Sequence, residues 1–217
     1  MPLTLVNVWK EEFSKWAIDV PVYDCTSNVP KKERMNYFKE CQESEKGGVC
    51  LLTYGLISKN VELLLTSTPE KIVRDAKDKI LTVPNKYVWD YTIMDEGHKI
   101  KGNSNTTKMA SMIEDKHRLI MTGTPIMNKL DDLWQLFNWV TKGRLLGNRK
   151  NFQDNIGRHI TKGREKNAFM SEKRHAQMCT IKLKNMIAPY YIQRRKKDVG
   201  LQVDFRTHSQ QSIKRLI

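Results

Sequence analysis

The chain has 217 residues, with 38 Lys+Arg against 24 Asp+Glu and a formal net charge of +14. Hydrophobic residues make up 39% and charged ones 29%, enough apolar content for a packed core and too much for a wholly disordered chain. Apolar runs of about four residues are far short of a membrane span, and the charged opening MPLTLVNVWKEEF is not a signal peptide.

The length suits one domain or two small ones. The cysteines (Cys25, Cys41, Cys50, Cys179) are widely spaced and form no C-x-x-C pair, so reduced and mostly buried thiols of a cytosolic or nuclear protein are expected. Residues 1–98 hold 13 Lys+Arg and 15 Asp+Glu, a net of −2, whereas residues 99–217 hold 25 and 9, a net of +16. Basic charge gathered in one half is the footprint of a polyanion binder, nucleic acid first; a solvated lysine-rich helical face is the plainer alternative.

In chain order, Leu5, Val6, Trp9, Phe13 and Trp16 keep the 3–4 spacing of an amphipathic helix over 3–16. Val20 to Tyr23 can form a short strand. Pro30 opens a helix whose apolar stripe runs through Met35, Phe38 and Cys41. After Gly47-Gly48, residues 49–54 have a buried-strand pattern. Residues 56–83 read as irregular helix, with Pro69 and Pro84 as breakers. Tyr91 to Met94 is a further strand, ending on Asp95-Glu96. Residues 104–116 read as helix, and Leu119-Ile120-Met121 as a strand ending on Thr122-Gly123-Thr124-Pro125. Leu130, Leu133, Trp134, Phe137 and Val140 form a helical stripe read as core. Beyond Gly143 the chain is basic and mainly helical, with Met178, Ile181, Met186 and Ile187 as its apolar positions.

Short strands alternating with helices predict an α/β fold with a parallel sheet. Ligands of such sheets bind beyond the carboxyl ends of the strands, so Asp95, Glu96, Thr122 and Thr124 are expected to share a site. Asp95-Glu96-Gly97-His98 suits nucleoside triphosphate hydrolysis, which needs an acidic residue for the metal and a group to orient water. Asp95 is expected to hold Mg²⁺ through water, Glu96 to act as general base, and His98 to link to the next motif by hydrogen bonding. A solvated acidic turn is the alternative for this motif alone. The Thr122–Pro125 loop by itself is an ordinary turn; with the acidic motif before it, it becomes specific.

The pair resembles motifs II and III of the SNF2 family of ATP-dependent double-stranded DNA translocases, within helicase superfamily 2. Asp95 to Lys101 is similar to the DEAH-type box with its basic continuation, and Leu119 to Asn128 to the LLLTGTPIQN motif. Leu133-Trp134-Gln135-Leu136-Phe137 is similar to the helix that follows, and Tyr191 to Val199 to the segment before the second lobe. Upstream, Pro2 to Trp9 resembles motif Ia and Leu52-Thr53-Tyr54 motif Ic. Gly143 to Gly147, with Lys150, Phe152 and Arg164-Glu165-Lys166, points to the branch of Cockayne syndrome B and PICH.

The resemblance implies a RecA-like parallel sheet flanked by helices, an incomplete P-loop NTPase lobe over 1–140. It also implies a helical protrusion over 141–190 and, over 191–217, a segment leading to an absent second lobe. ATP and Mg²⁺ are implied as cofactors, double-stranded DNA and chromatin as partners, and the nucleus as location. Pro2, Thr4, Thr53 and Tyr54 fall in motifs that contact the DNA backbone in the family. Thr122, Gly123, Thr124 and Asn128 fall in the coupling motif. Lys99 and Lys101 sit in the basic loop after the box, where ordinary solvation is the alternative.

Three departures from the family pattern stand out. None of the 11 glycines is followed by Lys, so no G-x-x-x-x-G-K phosphate loop is present. Met127 stands where the family usually has Gln, and Gly97 where Ala is commoner, a change expected to matter little. The expectation that follows is a fragment, with Met1 an internal residue and the phosphate loop encoded upstream, and a marginal, aggregation-prone isolated chain. A non-enzymatic DNA- or chromatin-binding remnant is the alternative to an enzyme, and a scaffold acting through 141–190 a weaker third.

Overall fold

The computed structural model describes residues 1–44, 46–59, 72–74, 80–82, 89–100, 102, 104–123 and 130–194. Internal contacts divide the chain into two compact units, Met1–Gly123 and Thr124–Ile217.

In the first unit, a 3-10 turn (Leu3–Leu5) leads into helix α1 (Val6–Trp16). Strand β1 (Val22–Asp24) follows, then α2 (Lys31–Glu43) and β2 (Val49–Leu51). Pro30 supplies the preset φ (−55°) at the entry to α2, whose Phe38 and Cys41 are buried while Met35 is exposed. Strands β1 and β2 pair in parallel with Val22 opposite Val49 and Asp24 opposite Leu51, which requires the crossover that α2 provides. Arg34, also buried, donates from its guanidinium to the Thr26 and Val29 carbonyls and ties that crossover to the loop after β1.

Helix α3 (Tyr54–Lys59) starts directly beyond β2. The irregular helix expected over 56–83 holds at 56–59 and is corrected at 72–74 and 80–82, where β3 (Ile72–Arg74) and β4 (Ile80–Thr82) form an antiparallel pair; the rest of that range lies outside the described residues. Ile72, Val73, Ile80 and Thr82 are β-branched, and a pair of short strands uses them better than a helix does.

Strand β5 (Trp89–Asp95) pairs in parallel with β6 (Asp115–Met121), Trp89 opposite Asp115 and Asp95 opposite Met121. Between them run a 3-10 turn (Gly97–Lys99) and helix α4 (Asn105–Met112), capped by Ser104, whose Oγ accepts from the Thr107 amide at 3.2 Å. β6 begins four residues before the apolar triplet that announced it. Buried Arg118 explains this: its Nε donates to Asp115 at 2.9 Å and its Nη2 to the Ile113 carbonyl at 2.8 Å, so charged strand residues close the end of α4.

The second unit is helical: α5 (Leu130–Val140), α6 (Arg149–Phe152), a π-helical turn (Gln153–Gly157), α7 (Arg158–Lys162), α8 (Met170–Ile187) and a 3-10 turn (Ala188–Tyr190). Its core joins Leu130, Leu133 and Phe137 of α5 to Leu146, Phe152, Ile156 and Ile160, and to Cys179 and Leu183 of α8. Of the stripe read as core on α5, Leu130, Leu133 and Phe137 are core within this unit, Trp134 packs against it, and Val140 is half-buried. On α8 the expected apolar positions divide: Met186 and Ile187 pack against this core, whereas Met178 is 71% and Ile181 52% exposed and Ala176, Cys179 and Leu183 are buried in their place. Close approach decides this, because a Cβ on Gly163 would sit 2.3 Å from the Ala176 Cβ. Small residues let the helices meet, and the larger ones are left outside.

Candidate functional site

The first unit gathers its chemistry beyond the carboxyl ends of β2 and β5. Asp95 is the last residue of β5, and Trp9 on α1 donates from its indole Nε1 to Asp95 Oδ2 at 2.9 Å. Tyr54, the first residue of α3, donates its hydroxyl to the Asp95 backbone carbonyl at 2.7 Å. Burial, then the charges of Asp95 and Glu96, push the Tyr54 phenol well above its usual range, so it stays a neutral donor.

Glu96 has a left-handed backbone (φ 53°, ψ 45°), unusual for a residue with a side chain, which turns the chain sharply off the strand. The next turn closes with the Lys99 amide on the Glu96 carbonyl at 3.0 Å. His98 Nδ1 lies 3.1 Å from Glu96 Oε2 and 3.1 Å from Thr122 Oγ1, the residue just beyond β6. The two strand ends are thus joined by side chains as well as by the parallel ladder.

Of the residues expected at the site, Asp95, Glu96, His98, Thr122 and Tyr54 come together through these bonds. Thr53 stands beside Tyr54, half-buried, and its carbonyl accepts from the Leu56 amide at 3.0 Å. Pro2 and Thr4 precede α1, Pro2 half-buried and Thr4 exposed. Lys99 and Gly123 are exposed. Lys101, Thr124, Met127 and Asn128 lie outside the described residues, as does most of the segment after Tyr191. Trp9 is the site residue that sequence reading missed. It was placed in an amphipathic helix and in the segment resembling motif Ia without a role of its own, and only its indole N–H, which needs a partner when buried, could have signalled one.

Among the described residues no three His, Cys, Asp or Glu side chains are arranged to enclose a metal. Magnesium keeps much of its water and takes one or two carboxylates beside substrate phosphates, which Asp95 and Glu96 fit. Nor is any helix among the described residues long and apolar enough to cross a membrane.

An α/β unit with acidic and hydroxyl groups at the carboxyl ends of paired parallel strands has the character of a RecA-like ATPase lobe. Solved structures share the fold. The Sulfolobus solfataricus SWI2/SNF2 ATPase core in complex with dsDNA matches with a TM-score of 0.61 and 24% identity, covering 91% of this chain and 33% of that one. The ATPase core domain from the same organism matches at 0.59 and 27%, covering 94% and 34%.

The chain belongs to the SNF2 family: the family profile described as SNF2-related domain matches residues 1–214. Its relatives fall in the Cockayne-type branch. "DNA excision repair protein ERCC-6-like" of Danio rerio is 35% identical over 200 residues, covering 92% of this chain and 12% of that protein. The Homo sapiens protein of the same name is 35% identical, covering 92% and 15%. "DNA excision repair protein CSB" of Oryza sativa subsp. japonica is 30% identical, covering 95% and 18%. The chain thus spans less than a fifth of the length of these relatives.

Proposed function

We propose that this chain carries the water-activating and coupling part of an ATP-driven translocase on double-stranded DNA, of the repair or chromatin-remodelling kind and acting in the nucleus. The observation that carries the reading is the bonded chain Tyr54–Asp95 and Glu96–His98–Thr122, which ties the segment resembling a DNA contact to the acidic box and the box to the coupling loop. ATP with Mg²⁺ would supply the phosphoryl chemistry. Asp95, oriented by Trp9, would hold the ion through water, Glu96 would take the proton of the attacking water, and His98 would pass the change to Thr122. Pro2, Thr4, Thr53, Tyr54, Lys99 and Lys101 would meet the phosphate backbone without reading sequence. Thr122, Gly123, Thr124 and Asn128 would relay the hydrolytic state. A helical protrusion over 141–190 and a lobe-linking segment over 191–217 complete the assignment, and the Sulfolobus complex with dsDNA supports the choice of duplex.

A phosphate loop is absent from the sequence, so turnover would need that loop, and an arginine-bearing second lobe, from outside residues 1–217. The net charge of +16 over residues 99–217 favours a second reading, a DNA- or chromatin-binding protein without turnover. The test is DNA-stimulated ATPase activity of this chain and of a longer product containing it. The translocase reading expects activity in the longer product, lost on Glu96→Gln. Inactivity of both, with salt-sensitive and sequence-independent DNA binding retained, would establish the second reading.

A further inference from the structure

Three cysteines far apart in sequence meet on one face of the β1–β2 ladder. Tyr23 pairs with Cys50 in register, so their side chains leave the ladder on the same side. Cys25 follows Tyr23 by two residues, its amide still on the Leu51 carbonyl at 3.0 Å, and Gly48 precedes Cys50 by two. Both therefore share that side. Helix α2 covers it: Cys41 Sγ lies 3.0 Å from where a Gly48 Cβ would stand. Cys25 and Cys41 are buried and Cys50 half-buried. Cys41 and Cys50 both line a cavity of about 780 Å³ walled by β2, β5 and the Trp9 and Phe13 rings.

We propose that Cys41 and Cys50 are a reversible disulfide pair, closed by a peroxide-class oxidant that reaches them through this cavity. The Cys41 thiolate attacks the peroxide O–O bond and becomes a sulfenic acid, while the departing oxygen takes a proton and leaves as water. Cys50 sulfur then attacks the Cys41 sulfur. The S–S bond forms, the S–OH bond breaks, and the hydroxyl leaves with the Cys50 proton as a second water. Two thiols give up two electrons and one peroxide accepts them, so no further co-reactant is needed.

Geometry selects this pair. Cys25 and Cys50 stand diagonally on adjacent strands. A strand spacing of about 4.8 Å and a two-residue rise of about 6.6 Å put their Cα atoms about 8 Å apart, beyond ordinary disulfide reach. Cys41 reaches the same face from α2, its Sγ beside Gly48, two residues before Cys50 on β2. The order of attack follows from the thiols' own contacts. The Cys50 thiol hydrogen-bonds to Cys41 and holds it below the usual thiol range, whereas hydrogen bonding to Cys25 and Cys41, with burial, pushes Cys50 up. The bond would pin α2 to the strand that runs directly into Thr53 and Tyr54.

The test needs no enzyme activity and stands apart from the translocase reading. The folded 217-residue chain is exposed to hydrogen peroxide, its remaining thiols are capped with iodoacetamide in denaturant, and the peptides are mapped by mass. The expected product is a Cys41–Cys50 linked peptide lighter by two hydrogens and reopened by dithiothreitol, with Cys25 and Cys179 capped. Cys41 should lose its thiol at least about tenfold faster than Cys179. Cys50→Ser should abolish the link and leave a Cys41 sulfenic acid that dimedone traps, while Cys179→Ser should form the link as before. A link through Cys25 or Cys179, four capped thiols after exposure, or equal rates at Cys41 and Cys179 would overturn the proposal. The map of the unaltered chain decides it even if Cys50→Ser fails to fold.

Discussion

At the scale of single residues, Gly97 is the position where the structure adds most. Its exchange for the commoner Ala reads as minor in the sequence, yet Gly97 is buried and a Cβ there would stand 2.3 Å from Ile120 Cγ2. The strand end bearing Asp95 and the strand leading to Thr122 approach closely because this residue has no side chain. Gly97→Ala should therefore destabilise the chain by about 1–3 kcal/mol, as overpacking does. Ile120→Ala should recover part of that loss in a double-mutant cycle of denaturant midpoints, and strict additivity would show that the two do not collide. Asp24 gives a second test. Burial raises its pKa, but hydrogen bonds from Lys10 (2.6 Å) and Thr26 outweigh burial and hold it below the usual carboxylate range. A carboxyl lowered by folding contributes its stability above the unfolded value of about 3.9 and loses it as pH falls through the lower folded value. Lys10→Met should move the acid-unfolding midpoint to higher pH, and an unmoved midpoint would mean the pair contributes nothing.

At the scale of elements, α8 separates what periodicity reveals from what packing decides. Its apolar residues were legible, but which of them face inward was not, since Met178 and Cys179 are neighbours in sequence and opposite in burial. The inner face is set by Gly163 and Ala176, where the helices come close, and a stripe of large residues does not announce that. Leu183→Ala should cost about 2–5 kcal/mol, as truncation in a filled core does, and Met178→Ala no more than about 0.5 kcal/mol. Thermal or urea unfolding of the two variants side by side measures this, and equal losses would contradict the assignment of faces. By contrast α5 was legible in its main stripe, Leu130, Leu133 and Phe137 at 3–4 spacing, whereas buried Leu136 and Trp139 lay outside that stripe and Val140 within it is only half-buried. The β3–β4 pair was not, because its strands are three residues each, too short for period two to stand out.

At the scale of the whole molecule, the β5–β6 ladder leaves an apolar face in water. Tyr91 is 63%, Ile93 53% and Leu119 47% exposed, and the register sets Ile93 opposite Leu119 and Tyr91 opposite His117 on that face. A contiguous apolar sheet face drives association, so the isolated 217-residue chain should elute above its 25.4 kDa mass in size-exclusion chromatography. Ile93→Lys should return it toward the monomer position, and a monomeric unaltered chain would contradict the expectation. The sequence by itself determined the α/β class, the family and the acidic and hydroxyl strand ends, because those are carried by local patterns of residue type and spacing. Only the tertiary structure decided that Trp9 and Tyr54 bond to Asp95, that Ile120 requires Gly97, and that three scattered cysteines share one face. These groupings join residues from 9 to 86 positions apart, and the distance between them is set by strand register and layer packing rather than by any local periodicity.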